Sequence, residues 1–466
     1  MQLSDLLVVA AHEPALGEIG GKNSVLAVAE NARALIISAL SARAPKTTLI
    51  VATPTGTGAQ QLHDDLAQFL GADNALLFPA WETLPFERVS PSVETMGRRM
   101  EVLWRMRGTD RPRVVVGSVR ALLQKLGPNA TTFEPIIVRP GAELDADELL
   151  KQLVNGGYRR EELVEHRGEI ARRGSIIDIF PSTSNTPVRI DLWGDEVDRL
   201  TSFNVNDQRS TDPLSEAIIF AARELQLDDE VMDRARSLVA TESWGREHWD
   251  RLADGGNFDG MESWLPWLIE RDLLLTDVLQ DDCELMLVEP RRMRDRAHDL
   301  LAEEDDLARA LASTWARDAE KTFPRLHAEI DRLLGSTTTL RATSLSLPAE
   351  TIDAPSVQST GWGPISGDAQ ATAKRVQQLL SDKWTIVIAA EGTGSADRLK
   401  EVFSQEGVTV EVIVAPLHYG MSLPNCKLSI IAEADLTGRR RMHRQPRAKT
   451  NTRDTVSVFQ DLKPGD

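Results

Sequence analysis

Thr48-Leu49-Ile50-Val51-Ala52 closes in Thr53-Pro54, and Val114-Val115-Val116 closes in Gly117-Ser118. Compact apolar runs that stop at turn residues are buried strands, covered on both faces. Between them, Gln60 to Leu70 places Leu62, Leu66, Phe69 and Leu70 on one helical face, and Met96 to Met106 carries a stripe of Met100, Leu103 and Trp104. Ala75-Leu76-Leu77-Phe78, stopped by Pro79, is another strand, and a helix running to Leu126 follows Ser118. Strands alternating with helices predict an α/β fold, a parallel sheet with helical cover.

Past Leu126 the pattern changes. Between about Pro135 and Ser210 a helix (Leu149 to Val154) precedes strands at Ser175 to Pro181 and Val188 to Trp193, and Gly194-Asp195 turns the chain into Arg199 to Val205. This predicts a small α+β insert with an antiparallel sheet. From Thr211 to Leu345 the chain is mainly helical and acidic, with one strand, Glu284 to Val288, able to complete the first sheet. Beyond the Pro/Ser/Gly-rich stretch Pro355 to Asp368, a second alternating unit runs from Thr372 to Ala432. The expected organisation is a first segment of the sheet domain at 1–126, the insert at 127–210 and a second, mainly helical segment at 211–346. A linker at 347–370, a separate small α/β domain at 371–437 and a basic linker at 438–466 complete it.

Of the 466 residues 41% are hydrophobic and 27% charged, an ordinary globular balance. No apolar run approaches the roughly 18 residues that cross a bilayer, and Met1 to Asp5 lacks the basic start of a signal peptide. A cytoplasmic protein with no membrane partner is expected. Cys283 and Cys426 lie far apart with no His cluster beside them, so both are expected as buried small hydrophobes rather than metal ligands. The net charge of −18 opposes sequence-independent DNA binding, which works by cations displacing counterions from phosphate.

Nucleotide hydrolysis on such a sheet needs Gly-x4-Gly-Lys-Ser/Thr between a strand and a helix, so that backbone N–H groups and Lys cradle phosphate while the hydroxyl binds Mg²⁺. The stretch before the helix that precedes Thr48 reads Ala27-Val28-Ala29-Glu30-Asn31-Ala32-Arg33-Ala34, without glycine, with a repelling Glu30, and with Ala34 where a hydroxyl is required. Gly20-Gly21-Lys22-Asn23, Thr55-Gly56-Thr57-Gly58 and Gly392-Thr393-Gly394 each lack part of the motif, and Asp435 is a weak candidate for an acidic strand end. Tyr158 to Gly174 reads as an arginine-bearing hairpin with five Arg against four Glu, net +1 in an acidic chain. Arg suits interfaces because its planar fork bonds bidentately and its stem packs; the bland alternative is a solvated hairpin with weak surface pairs. Trp81 and Phe86, in the acidic turn Phe78 to Glu87, are expected in the core. The basic tail around Arg439-Arg440-Arg441 reads as a soluble linker rather than a nucleic-acid contact.

Leu77 to Phe86, Ser90-Pro91, Arg167 to Pro181, Val188 to Val197 and Asp207 to Ser210 together resemble the N-terminal part of the bacterial transcription-repair coupling factors (Mfd). The match runs through at least Ala27 to Ser210, and Leu462 to Asp466 looks like the opening of that family's polymerase-interacting domain, cut short. The resemblance implies a module similar to the damage-recognition protein UvrB: a degenerate helicase-like (RecA-like) parallel-sheet domain in two segments, with an insert that binds the repair protein UvrA. It implies no catalytic residue and no metal or cofactor in this chain, with Glu30, Asn31, Ala32, Arg33 and Ala34 at the lost phosphate loop. ATP, Mg²⁺, RNA polymerase and DNA would be engaged by parts of the family outside this span. Carried over by position, the UvrA contacts fall at Arg159 or Arg160 and at Arg173, with Arg167 at a basic position and Phe180 supporting from the core. UvrB's paired arginines become Ala171 and Arg173. An ATP-driven UvrB-like damage binder is the main rival, and it needs a phosphate loop and an aromatic clamp that this sequence lacks. A DNA-binding module using the tail and insert arginines is the second.

Overall fold

The computed structural model describes residues 1–21, 23–242, 244–279, 282–312, 323–335, 340–350, 353–362 and 369–437. In chain order the strands begin with β1 (Asn23–Ala27), β2 (Thr48–Thr53), β3 (Ala75–Phe78) and β4 (Val114–Ser118). An inserted region follows with β5 (Ile136–Val138), β6 (Arg159–Arg160), β7 (Glu169–Arg173) and β8 (Ile176–Ile179). It continues with β9 (Val188–Trp193), β10 (Glu196–Phe203), β11 (Ser210–Pro213) and β12 (Ala217–Ile219). The chain then returns to the first sheet with β13 (Cys283–Val288) and β14 (Arg341–Ser346).

The first sheet is wholly parallel, in the order β1-β14-β13-β2-β4-β3. Every residue of β2 and β4 is buried, because alternate side chains enter two cores. Leu49, Val51, Val114 and Val116 meet helices Arg33–Arg43 and Gly56–Leu70 on one side. Ile50, Ala52 and Val115 meet helices Val93–Arg107 and Val119–Leu123 on the other. As expected, the strand at Glu284 to Val288 joins this sheet; it sits centrally, between β2 and β14. Strands β1 and β14 were not expected. Asn23-Ser24-Val25-Leu26-Ala27 and Arg341-Ala342-Thr343-Ser344-Leu345-Ser346 mix polar residues through the run, and each is partly exposed, so no apolar signature marks them.

The inserted sheet has the order β11-β10-β9-β8-β7-β6. It differs from expectation in two ways. Tyr158 to Gly174 is not a hairpin: β6 pairs parallel to β7, and the hairpin is β7–β8, turned by Gly174 in the left-handed region (φ +63°). Pairing also continues past Ser210, since β11 pairs with β10 and β12 with β5. Val188, Ile190 and Leu192 of β9 face inward with Ile170, Ile177 and Ile179 onto Leu149, Leu150 and Leu153 of helix Ala146–Asn155.

The last unit holds β15 (Thr385–Ala390), β16 (Glu411–Val414), β17 (Met421–Leu423) and β18 (Leu428–Ala432), in the order β16-β15-β18-β17. It is not separate from the first domain. Its own helices cover only the face with Ile386, Ile388 and Ile431. Val387, Ala389, Ile430 and Ala432 on the other face share one continuous core with Leu35, Leu66 and Phe69. His418 joins this seam through Nδ1, 2.9 Å from Asp65 Oδ1. Burial raises the Asp65 carboxyl against the opposing pull of His418.

Trp81 and Phe86 are in the core as expected, within an aromatic cluster that includes Trp244, Trp249, Trp264 and Trp267. Cys283 is buried in β13, but Cys426 is half-buried; burial and the neighbouring Glu13 carboxylate push its thiol up to about 11. The basic tail lies outside the described residues. Among those described, no helix is long and apolar enough to cross a membrane.

Candidate functional site

Two places in this fold invite function: the cleft at the strand ends of the parallel sheet and the outer face of the inserted sheet. At the first, Ala27 to Ala34 does form a strand–turn–helix unit, with β1 leading through a short 3-10 turn (Glu30–Ala32) into helix Arg33–Arg43. Glu30 is exposed, Asn31 donates to the Gly420 carbonyl at 3.4 Å, and Ala32 and Ala34 are buried. Arg33 is buried with Nη2 2.7 Å from Glu289 Oε1.

Glu289 corrects the sequence reading, which found no acidic strand end beyond Asp435. It follows β13 directly, in a left-handed conformation (φ +51°), and Arg292 Nη1 lies 3.4 Å from its other oxygen. Pro290 behind it starts a helix, so the strand end is hidden in the sequence as a helix boundary. The cleft of about 310 Å³ that remains is lined by Glu30, Arg33, Thr55, Glu289, Arg292 and Tyr419. An internal ion pair, Arg33–Glu289, thus lies in this cleft at the strand ends. Asp435 instead braces a turn, its carboxylate accepting from the Gly420 and Ala432 backbone N–H groups at 2.8 and 3.1 Å. No group of His, Cys, Asp and Glu suited to a metal ion occurs among the described residues.

The second place is the sheet face away from helix Ala146–Asn155. The period-two alternation of β9 sends Arg189, Asp191 and Trp193 there. Register puts Ala171, Asp178 and Arg189 in one row across β7, β8 and β9, and Arg173, Ile176 and Asp191 in the next. Asp178 is only 1% exposed and is the centre of this face. It accepts from Arg173 Nη2 at 2.5 Å and from Arg189 Nε and Nη2 at 2.7 and 2.9 Å. The Asp178 bonds hold the Arg189 guanidinium above its ordinary pKa, and its plane lies 4.8 Å over the Phe203 ring. Two cations are thereby fixed on one buried anion; Arg189 is nearly buried and also donates from Nη1 to the Gln208 carbonyl at 2.9 Å, so the more exposed Arg173 is the one of the two left open to a partner.

The other expected arginines divide. Arg159 is on the same face, exposed, 3.7 Å from Glu169. Burial acts to raise the Glu169 carboxyl, but backbone donation from Glu165 and His166 outweighs it and holds the group below the ordinary range. Arg160 is exposed on the opposite side of the edge strand, in register with Ile170. Arg167 is turned toward the first domain: it donates to the Ser184 carbonyl at 2.8 Å and to Glu94 at 3.0 Å, and fixes the insert in place. Phe180 is half-buried against Val164, Ala171 and Phe203, a small apolar cluster that includes the outer-row Ala171 and is separate from the core under helix Ala146–Asn155. Ala171 is buried opposite Asp178. Sequence reasoning missed Arg189, Asp178 and Trp193. The alternation Val188-Arg189-Ile190-Asp191-Leu192-Trp193 would have identified the first and last.

A family model described as the UvrB interaction domain matches residues 136–225, the region that carries β5 to β12. A transcription-repair-coupling factor of Mycobacterium bovis is 33% identical over 461 residues, covering 88% of this chain and 36% of its own length. One from Bacillus subtilis is 26% identical over 489 residues, covering 96% and 41%. One from Myxococcus xanthus is 30% identical over 466 residues, covering 88% and 38%. The chain spans a little over a third of the length of these curated relatives.

Proposed function

We propose that this chain is the counterpart of the N-terminal region of a transcription-repair-coupling factor and that it recruits UvrA through the outer face of its inserted sheet. The observation that carries the reading is the Arg173–Asp178–Arg189 cluster within the matched UvrB interaction domain: two arginines held rigid on a buried carboxylate on an exposed face. Rigid guanidinium groups lose little freedom on docking, which suits them to bind carboxylates of a partner. Recruitment would take place where transcription has stalled. On this reading, ATP-driven displacement of the polymerase rests with a part of a coupling factor that this chain does not span. Titration calorimetry with purified UvrA tests the proposal: Arg173→Ala is expected to weaken binding at least ten-fold, and Arg159→Ala less. Equal affinity of both variants and the unaltered chain would remove the arginine face from the interface.

We also propose that the chain itself turns over no nucleotide. Arg33 stands in the cleft as a buried cation, but its charge is met by Glu289, and the loop before it offers neither glycine nor a hydroxyl for phosphate and Mg²⁺. ATPase assays with and without DNA are expected to stay at background, for the unaltered chain and for Glu289→Gln alike. Turnover above background that Glu289→Gln abolishes would favour the UvrB-like enzyme instead.

A further inference from the structure

Trp193 is 82% exposed at the end of β9, the most exposed of the large hydrophobic side chains among the described residues. It is not a loose surface residue. It lies on the same face as Arg189 and Asp191, and Gly194, in the left-handed region (φ +66°), fixes the tight turn that joins it to β10. Register sets Trp193 directly opposite Glu196, which in turn is bridged to Glu143, while Asp191 stands two residues back along β9. The backbone register therefore places Trp193 on one face with Asp191 and Glu196, with Glu143 paired to Glu196 on its far side. Arg199, directly opposite Asp191 in the register, is ion-paired with Asp198 at 3.5 Å. Across this face Arg159 and Arg173 lie at the β6–β7 side, Arg189 in the middle on β9, and the indole with Asp191 and Glu196 toward the β9–β10 turn.

An aromatic face flanked by carboxylates attracts a cation twice, through the ring quadrupole and through direct charge. Exposed tryptophans of this kind are also the residue type that most often dominates a protein interface. We propose that Trp193 is the anchor of this interface, seated against a guanidinium or ammonium group of the partner, with Asp191 and Glu196 accepting that cation's hydrogen bonds. The inference rests on the recruitment reading above and adds the partner's polarity: carboxylates opposite Arg173 and Arg159, a cation opposite Trp193. Such a bipolar pattern admits one docking direction and penalises the reverse, where like charges would meet.

The test uses the whole chain and purified UvrA in titration calorimetry. Trp193→Ala is expected to weaken binding about ten-fold or more, Trp193→Phe to retain most of the affinity, and Glu196→Lys to weaken it beyond Glu196→Gln. Thermal unfolding of the Trp193 variants should match the unaltered chain, since the side chain packs against little. If the unaltered chain binds and Arg173→Ala weakens it while Trp193→Ala does not, the anchor is wrong and the recruitment reading stands. If the unaltered chain fails to bind, both are overturned. A larger loss for Trp193→Phe than for Trp193→Ala, or tighter binding by Glu196→Lys, also contradicts a cation at this position.

Discussion

Glu224→Ala is expected to destabilise the chain by about 3–5 kcal/mol, the range for removing one partner of a buried ion pair. Arg99 is fully buried on helix Val93–Arg107, and its Nε and Nη2 donate to the two oxygens of Glu224 at 2.7 and 3.1 Å. Trp81 Nε1 donates to the same carboxylate at 2.8 Å, and the Arg99 guanidinium lies 4.2 Å from the Phe78 ring. Without Glu224 a guanidinium is stranded in the core, with the Pro79 carbonyl at 3.0 Å as its remaining acceptor. Glu224 lies at the end of the matched interaction domain and Arg99 under the parallel sheet, so the pair also ties the insert to its platform. A urea titration should show a lower midpoint. Glu224→Gln should fall between, because it keeps an acceptor but not the charge. A loss below about 1 kcal/mol for the alanine variant would mean that water reaches Arg99 and the pair is no anchor.

Asp178→Ala comes second, with roughly 2–4 kcal/mol lost. Arg189 is nearly buried and loses both carboxylate oxygens but keeps the Gln208 carbonyl at 2.9 Å, and Arg173 is more exposed and can turn to water, which is why the expected cost is the smaller. The functional effect should be the larger one. Arg173 and Arg189 then stand close together with no anion between them, spread apart, and no longer present a fixed pattern. UvrA affinity should fall at least as far as for Arg173→Ala. Asp178→Asn, which keeps one acceptor, should recover part of the stability and less of the binding. Unchanged UvrA affinity in Asp178→Ala would show that the rigidity of the cluster does not matter.

The sequence made some parts of this architecture readable and hid others for physical reasons. β2, β3 and β4 are apolar and stopped by turn residues, so their ends were readable to within a residue or two. β1 and β14 owe their existence to their neighbours: a partly exposed strand next to a buried one needs no apolar run, and only the parallel pairing reveals it. The strand–turn–helix at Ala27 to Ala34 could be placed from local residue order, but the ion pair beside it could not, since Arg33 and Glu289 are far apart in the chain. The interaction face shows the same division. Arginine density marked the region, but the anion that organises it, Asp178, looks like an ordinary polar residue in an apolar strand until the register places it under two arginines. The union of the last α/β unit with the first domain was equally hidden, although two-sided apolar strands such as Thr385 to Ala390 show that a second covering surface is needed.

Amide hydrogen exchange of the chain, alone and saturated with UvrA, tests the central claim most directly, because it locates the contact without altering a residue. Protection is expected over residues 159–160, 169–178 and 189–199, the strands whose outer face carries Arg159, Arg173, Arg189 and Trp193. The cleft lined by Arg33 and Glu289 and helix Asp229–Thr241 should exchange as in the free chain. Protection confined to the cleft or that helix, with the inserted sheet unaffected, would contradict recruitment through this face.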